Sequence, residues 1–252
     1  MTSDSTDSEM PLVHHLIELR NRLLRVLVFV VVIFSGLFYF ANDIYAFVSA
    51  PLQAMLPPNS TMIATEVASP FLTPFKLTFF LALFAAMPYV LYQIWSFIAP
   101  ALYSKEKRLA IPILISSILL FYTGMAFAYY VVFPIIFQFF TSAAPTDVMI
   151  MTDISSYLDF VLKLFFAFGL AFEIPIATII LISTGIISSK DLAAKRPYVV
   201  VGCFVLGMLL TPPDIISQSL LALPMWLLFE VGILLGRMIS TEDTEDTEDT
   251  ED

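Results

Sequence analysis

The chain has 252 residues, 59% of them hydrophobic and only 13% charged, roughly half the charged share of a soluble domain. That composition excludes a water-solvated globule and leaves a chain solvated by lipid; no nucleic-acid partner is expected. The formal charge of -10 overstates the acidity of the body, because eight of the 22 acidic residues lie in the last twelve positions, where TED is repeated four times.

Residues 1–9 are polar and acidic, and the first apolar run lacks a small-residue cleavage site, so no cleavable signal peptide is expected and the first span should stay attached. Leu12, Leu16, Leu19 and Leu23 recur at helical spacing, which predicts an amphipathic helix lying along the inner interface as it enters the first span. Glu18 then reaches water, and its plainest role is an i,i+4 ion pair with Arg22. His14 and His15 precede this helix with no further ligands nearby, so they read as interfacial residues; neither a metal nor a cofactor is expected.

Apolar stretches at about 23–41, 75–97, 109–137, 159–185, 198–211 and 215–236 predict six transmembrane helices in one domain, 1–240, followed by a disordered acidic tail, 241–252. The connection 41–74 carries Pro51, Pro57, Pro58, Pro70 and Pro74 and predicts an outer cap of loops and short helices. The loop from Phe97 to Arg108 should end one helix at Pro100 and restart another at Ser104, an N-cap with Glu106 in the first turn. Pro88, Pro134, Pro175 and Pro224 fall inside spans, where each deletes a helical hydrogen bond, so the assembled wall should be curved and concave. The fifth stretch, 14 residues, extends only ~21 Å, and the sixth has 15 uncharged residues before Glu230. Such a pair must tilt little, pack on longer neighbours or thin the bilayer locally. Glu230 should pair with a base such as Arg237 or reach the interface. The turn Thr211-Pro212-Pro213-Asp214 sets Asp214 to cap the last helix, and Cys203, the single cysteine, reads as a packing residue.

Basic residues resist translocation, so the loops that keep them face the cytoplasm. Of 12 Lys and Arg, ten lie at the termini and in the second and fourth connections, and none in 41–74, 138–158 or 211–217. Both termini are therefore expected inside. Lys76 and Lys163 fall at the outer ends of their spans, within snorkelling reach of headgroups.

No membrane-enzyme pattern is present: there is no G-x-S-x-G, no H-E-x-x-H and no pair of intramembrane aspartates, so no catalysis is expected. Glu173, near the centre of the fourth span, costs about 3 kcal/mol or more if ionised there. It should be neutral and bonded to a carbonyl freed by Pro175, or face a polar cavity, partner helix or substrate. A secondary transporter or channel using Glu173 as a proton or ion site is the alternative function, weakened by the absence of an inverted repeat. On the inner face Glu18 and Glu106 are two carboxylates among bases, suited to a ligand with paired guanidiniums.

These residues stand in runs that closely resemble the TatC family, the multispan receptor subunits of the twin-arginine protein translocase. The runs are HLIELRNRLL at 15–24, SAPL at 49–52, ASPFLTPFKLTF at 68–79, QIWSFIAPALY at 93–103, FEIP at 172–175, and KRPYVVVG with MLLTPPD within 195–214. The resemblance implies Sec-independent, proton-motive-force-driven export of folded proteins across the bacterial inner membrane. It implies that Glu18 and Glu106 contact the twin arginines of signal peptides, with Arg20, Pro51, Phe97 and Asp214 at sensitive positions. Glu173 would face an intramembrane groove, and Met208, Thr211 and Gln218 would help dock the single-span partners TatA and TatB; self-association in a receptor complex is also implied. Lys105 and Lys107 flank Glu106 and should weaken its attraction for arginine, and the TED tail has no counterpart motif.

Overall fold

The computed structural model describes residues 6–55, 62–102, 110–143, 151–210 and 215–248. Ten α-helices run in order: α1 (Thr6–Leu37), α2 (Ala41–Met55), α3 (Ser69–Leu102), α4 (Ala110–Phe127), α5 (Phe133–Ala143), α6 (Ile154–Ala171), α7 (Ile174–Ser183), α8 (Ser189–Ala194), α9 (Arg196–Leu210) and α10 (Ile215–Glu248). Among the described residues the only extended pairing is a single bridge between Ile63 and Asp153. Five stretches are long and apolar enough to cross a membrane: His15–Ala50, Ser69–Phe97, Ile111–Phe140, Ile154–Ser183 and Gln218–Met238; α9 is a shorter apolar helix. The protein is thus an all-α, multi-pass membrane protein.

The chain divides into two compact units, one of Met1–Met55 with Glu66–Leu114, the other of Leu56–Thr65 with Ile115–Asp252. In the first, α1 packs on α3. Val30 enters a cluster with the fully buried Ala82 and Ala86, flanked by Val26, Ile33, Phe34 and Val90. Lipid tails are as apolar as leucine, so helix pairing here gains from close backbone approach, which two alanines one turn apart permit. The amphipathic run around Glu18 is helical and continuous with the span that follows it.

In the second unit the same logic is written in glycine. A Cβ on Gly232 of α10 would lie 2.8 Å from Thr178 Cβ and 2.9 Å from Pro175 Cα of α7, and one on Gly236 would lie 2.5 Å from Ile182 Cδ1. These glycines are four apart, one turn on one face, and form a small-xxx-small seam. Gly169 of α6 likewise accommodates the Phe121 ring of α4, a fully buried side chain.

The prolines act locally. Pro134 cannot bond to the carbonyl of Tyr130, and the backbone ahead of it widens into a π-turn over Ala128–Val132, with Phe133 N–H donating to Ala128 O. Pro175 cannot bond to Ala171, and the span Ile154–Ser183 is interrupted at Phe172–Glu173; Glu173 N–H donates to Leu170 O at 3.0 Å. α10 runs to Glu248, into the TED repeats, which contain no Gly or Pro to stop it.

On the loop side of α6, Asp153 is the N-cap, a role the sequence reading did not assign. Its Oδ1 accepts from the N–H of Ser155 (3.0 Å) and Ser156 (2.9 Å), and its Oδ2 from the N–H (3.0 Å) and hydroxyl (2.8 Å) of Thr65. One carboxylate therefore starts a helix and ties down residues 63–65. These donors stabilise the ionised form and hold its pKa well below the usual carboxylate range.

Two outcomes follow. Gly232→Ala should lower stability by about 1–3 kcal/mol, since backbone at Pro175 must shift. Gly202→Ala, where a Cβ meets nothing within 4 Å, should be neutral or stabilising by up to ~1 kcal/mol; thermal unfolding in detergent separates them. Because the Asp153 carboxylate is stabilised by folding, its contribution is present above the unfolded value of ~3.9 and is lost as pH falls toward the depressed folded value. Asp153→Ala should cost ~0.5–2 kcal/mol at pH 7, and the gap from wild type should close below about pH 4.

Candidate functional site

The first candidate lies on the α1–α3 face of the first unit. Glu18 and Arg22 share one side of α1, and Arg22 Nε and Nη2 donate to Glu18 Oε1 at 3.0 and 2.6 Å. Arg22 also crosses to α3, where Nη1 donates to Gln93 Oε1 (3.1 Å) and Gln93 O (3.4 Å) and Nη2 to Ser96 O (3.2 Å). The Ser96 carbonyl is available for a chemical reason: its helical donor would be the N–H of residue 100, which is proline. Gln93 is buried, while the Glu18 side chain keeps 35% of its surface exposed and Arg22 only 17%. One turn back, His15 stacks on Phe97 of α3 with ring centroids 4.2 Å apart. Leu19, Leu23, Val26, Val90 and Ile94 continue the face as an apolar groove of about 270 Å³.

Glu18, His15, Arg22 and Phe97 are therefore gathered at one end of this helix pair. Arg20 is exposed and bonds to the Asn21 side chain at 3.1 Å. Glu106 and the expected Ser104 cap lie outside the described residues, as do Thr211, Asp214 and the Pro51 side chain. Gln93 and Ser96 were not picked out from sequence; the available signals were a lone Gln in an apolar span and a proline four residues after Ser96.

The second candidate surrounds Glu173. It sits at the interruption before α7, its carboxyl bonded to the Ser117 hydroxyl, and Ser117 is fully buried. The carbonyl freed by Pro175 does not bond to its second oxygen: Glu173 Oε1 is buried without a hydrogen bond among the described residues, and so is Trp226 Nε1. In the low-dielectric interior an unsatisfied oxygen costs free energy.

The third candidate is the α9–α10 pair. Gly207 leaves room for the Gln218 backbone, where a Cβ would meet Gln218 O at 3.3 Å, while Met208, Leu209, Ile215 and Ile216 are exposed. At the other end Arg196 grips Glu230 bidentately, Nε to Oε1 at 2.6 Å and Nη2 to Oε2 at 2.7 Å. Glu230 thus pairs with the base that opens α9, correcting the expectation of Arg237: α9 and α10 pack side by side, bringing residue 196 across, whereas Arg237 lies two turns along the same helix. No cluster of three metal-ligating residues occurs among the described residues.

The fold defines the class: an all-helical, multi-pass membrane protein. The Sec-independent protein translocase protein (TatC) family model matches residues 14–224. A TatC from Azotobacter chroococcum is 62% identical over 234 residues, 93% of this chain and 92% of the relative. Escherichia coli K12 TatC is 58% identical over 233 residues, covering 92% and 90%. A crystal structure of the twin-arginine translocase receptor TatC superposes with a TM-score of 0.81 at 38% identity, over 90% of this chain and 99% of that one. The chain belongs to the TatC family of Sec-independent protein translocase proteins. Membership puts Glu173 in a protein translocase, not in the small-solute transporter weighed as its alternative.

If the Ser117–Glu173 hydrogen bond holds this interior site, Ser117→Ala should cost ~1–3 kcal/mol by stranding the carboxyl. Adding Glu173→Leu should recover most of that loss, because no carboxyl is then left stranded. A double-mutant cycle on thermal unfolding measures the coupling.

Proposed function

We propose that this chain is the signal-peptide receptor of a bacterial Tat translocase, held in the inner membrane with both termini cytoplasmic. The carrying observation is the half-exposed Glu18 carboxylate, fixed by Arg22 beside an apolar groove. A twin-arginine leader couples a doubly cationic stretch to an apolar one, and the site offers a complement to each. Glu18 and Glu106 receive the two guanidiniums, and Arg20 and Phe97 border the site. The sidedness rests on the ten basic residues of alternate connections and termini.

Met208, exposed near the outer end of α9, acts with Thr211 and Gln218 to dock the single apolar helices of TatA and TatB. Pro51 and Asp214 serve the outer cap, and the receptor self-associates in the assembled complex. The protein binds and assembles without catalysing a covalent step, and the proton-motive force drives passage of the folded cargo.

A photo-crosslinkable twin-arginine leader tests this with full-length protein in membrane vesicles. Replacing Arg-Arg by Lys-Lys, or changing Glu18 or Glu106 to Ala, should reduce capture by roughly 10- to 100-fold, the worth of a hydrogen bond to a charged group. Unchanged capture in both glutamate variants contradicts the assignment.

A further inference from the structure

We infer that Arg22 is the specificity-determining residue of the Glu18 site: by fixing one edge of the Glu18 carboxylate it makes capture depend on the shape of the incoming cation as well as on its charge. This rests on the receptor reading above and goes beyond it by naming what makes Glu18 selective.

A free surface carboxylate on a flexible stem accepts ammonium and guanidinium alike, since both carry one positive charge and the side chain turns to suit either. Glu18 is not such a group. Its Oε1 accepts two hydrogen bonds from Arg22, and Arg22 cannot follow Glu18 if the carboxylate swings, because it is anchored elsewhere. A guanidinium has five N–H donors, and Arg22 makes five contacts: two to Glu18, two to Gln93 and one to Ser96. Three of the five lie on α3, on a buried glutamine and a carbonyl that Pro100 leaves without its helical donor. Glu18 Oε1 is therefore held from α3 through the Arg22 fork, which restrains the swing of the carboxylate.

One consequence separates arginine from lysine. The restrained carboxylate presents a constant geometry to the ligand, which a planar, bidentate donor matches and a rotating ammonium does not. The resident guanidinium also supplies a like charge beside the site, but that charge opposes every incoming cation and cancels from the ratio. Arg22 touches Glu18 and α3, and its part is to position.

The test uses full-length protein in nanodiscs and synthetic leaders differing only in Arg-Arg against Lys-Lys, with affinities read by fluorescence anisotropy. Arg22→Gln should shrink the Arg-Arg to Lys-Lys affinity ratio at least fivefold, mainly by improving the Lys-Lys leader. Gln93→Leu, which leaves Arg22 in place and removes its buried anchor, should shrink the ratio in the same direction. Arg22→Lys, which keeps the charge and loses the fork, should behave like Arg22→Gln. A wild-type ratio in Arg22→Gln and Gln93→Leu proteins that melt normally overturns the inference, as does a wild-type ratio in Arg22→Lys, which would assign the effect to charge alone. Glu18→Ala separates the two levels: if it leaves Arg-Arg binding intact the Glu18 site itself is wrong, whereas if it abolishes binding while the Arg22 variants keep the ratio, only the role of Arg22 fails.

Discussion

In lipid no water repairs a broken backbone hydrogen bond, so every proline inside a span obliges the structure to respond nearby. That constraint shapes the positions of interest here. Pro134 is answered by a π-turn at Ala128–Val132. Pro175 is answered by a break that leaves Glu173 at a helix start, bonded to a serine buried on α4. Pro100, just beyond the span Ser69–Phe97, is answered by a side chain from another helix: Arg22 donates to the Ser96 carbonyl and also holds Gln93 and Glu18. The Glu18 carboxylate is thus oriented by the same hydrogen-bond accounting that keeps the helices intact.

Once helices form, small residues decide how they meet. Ala82 and Ala86 admit α1, and Gly232 and Gly236 admit α7. Such seams leave large side chains on the outside, and much of α1 and α9 is exposed apolar surface suited to lipid or a partner helix. The charged pair Arg196–Glu230 clasps α9 to α10 at one end, while at the other Gly207 lets the Gln218 backbone come close.

Much of this was legible in the sequence. Apolar run length and the one-sided placement of Lys and Arg define the helices and their expected sidedness, because both follow from transfer free energies that ignore tertiary contacts. The Glu18–Arg22 pair follows from i,i+4 spacing alone. What spacing could not supply was the second partner of Arg22, since Gln93 is 71 residues away, nor the partner of Glu230, where proximity in the chain favoured Arg237 and packing favoured Arg196. Asp153 was overlooked although its pattern, an acidic residue before Ser155 and Ser156, is that of an N-cap; its second role, gripping Thr65 from 88 positions away, exists only in three dimensions. The Gly232-x-x-x-Gly236 seam was legible and was passed over in favour of the charged residues.

The central claim is that an arginine of the leader meets a Glu18 already held by Arg22. The most direct measurement is an experimental structure of the full-length protein in nanodiscs with a twin-arginine peptide bound. The account predicts a leader guanidinium within hydrogen-bonding distance of Glu18 while Arg22 keeps its contacts to Gln93 and Ser96. A leader whose arginines lie on other residues, or a bound state in which Arg22 has left α3, contradicts it.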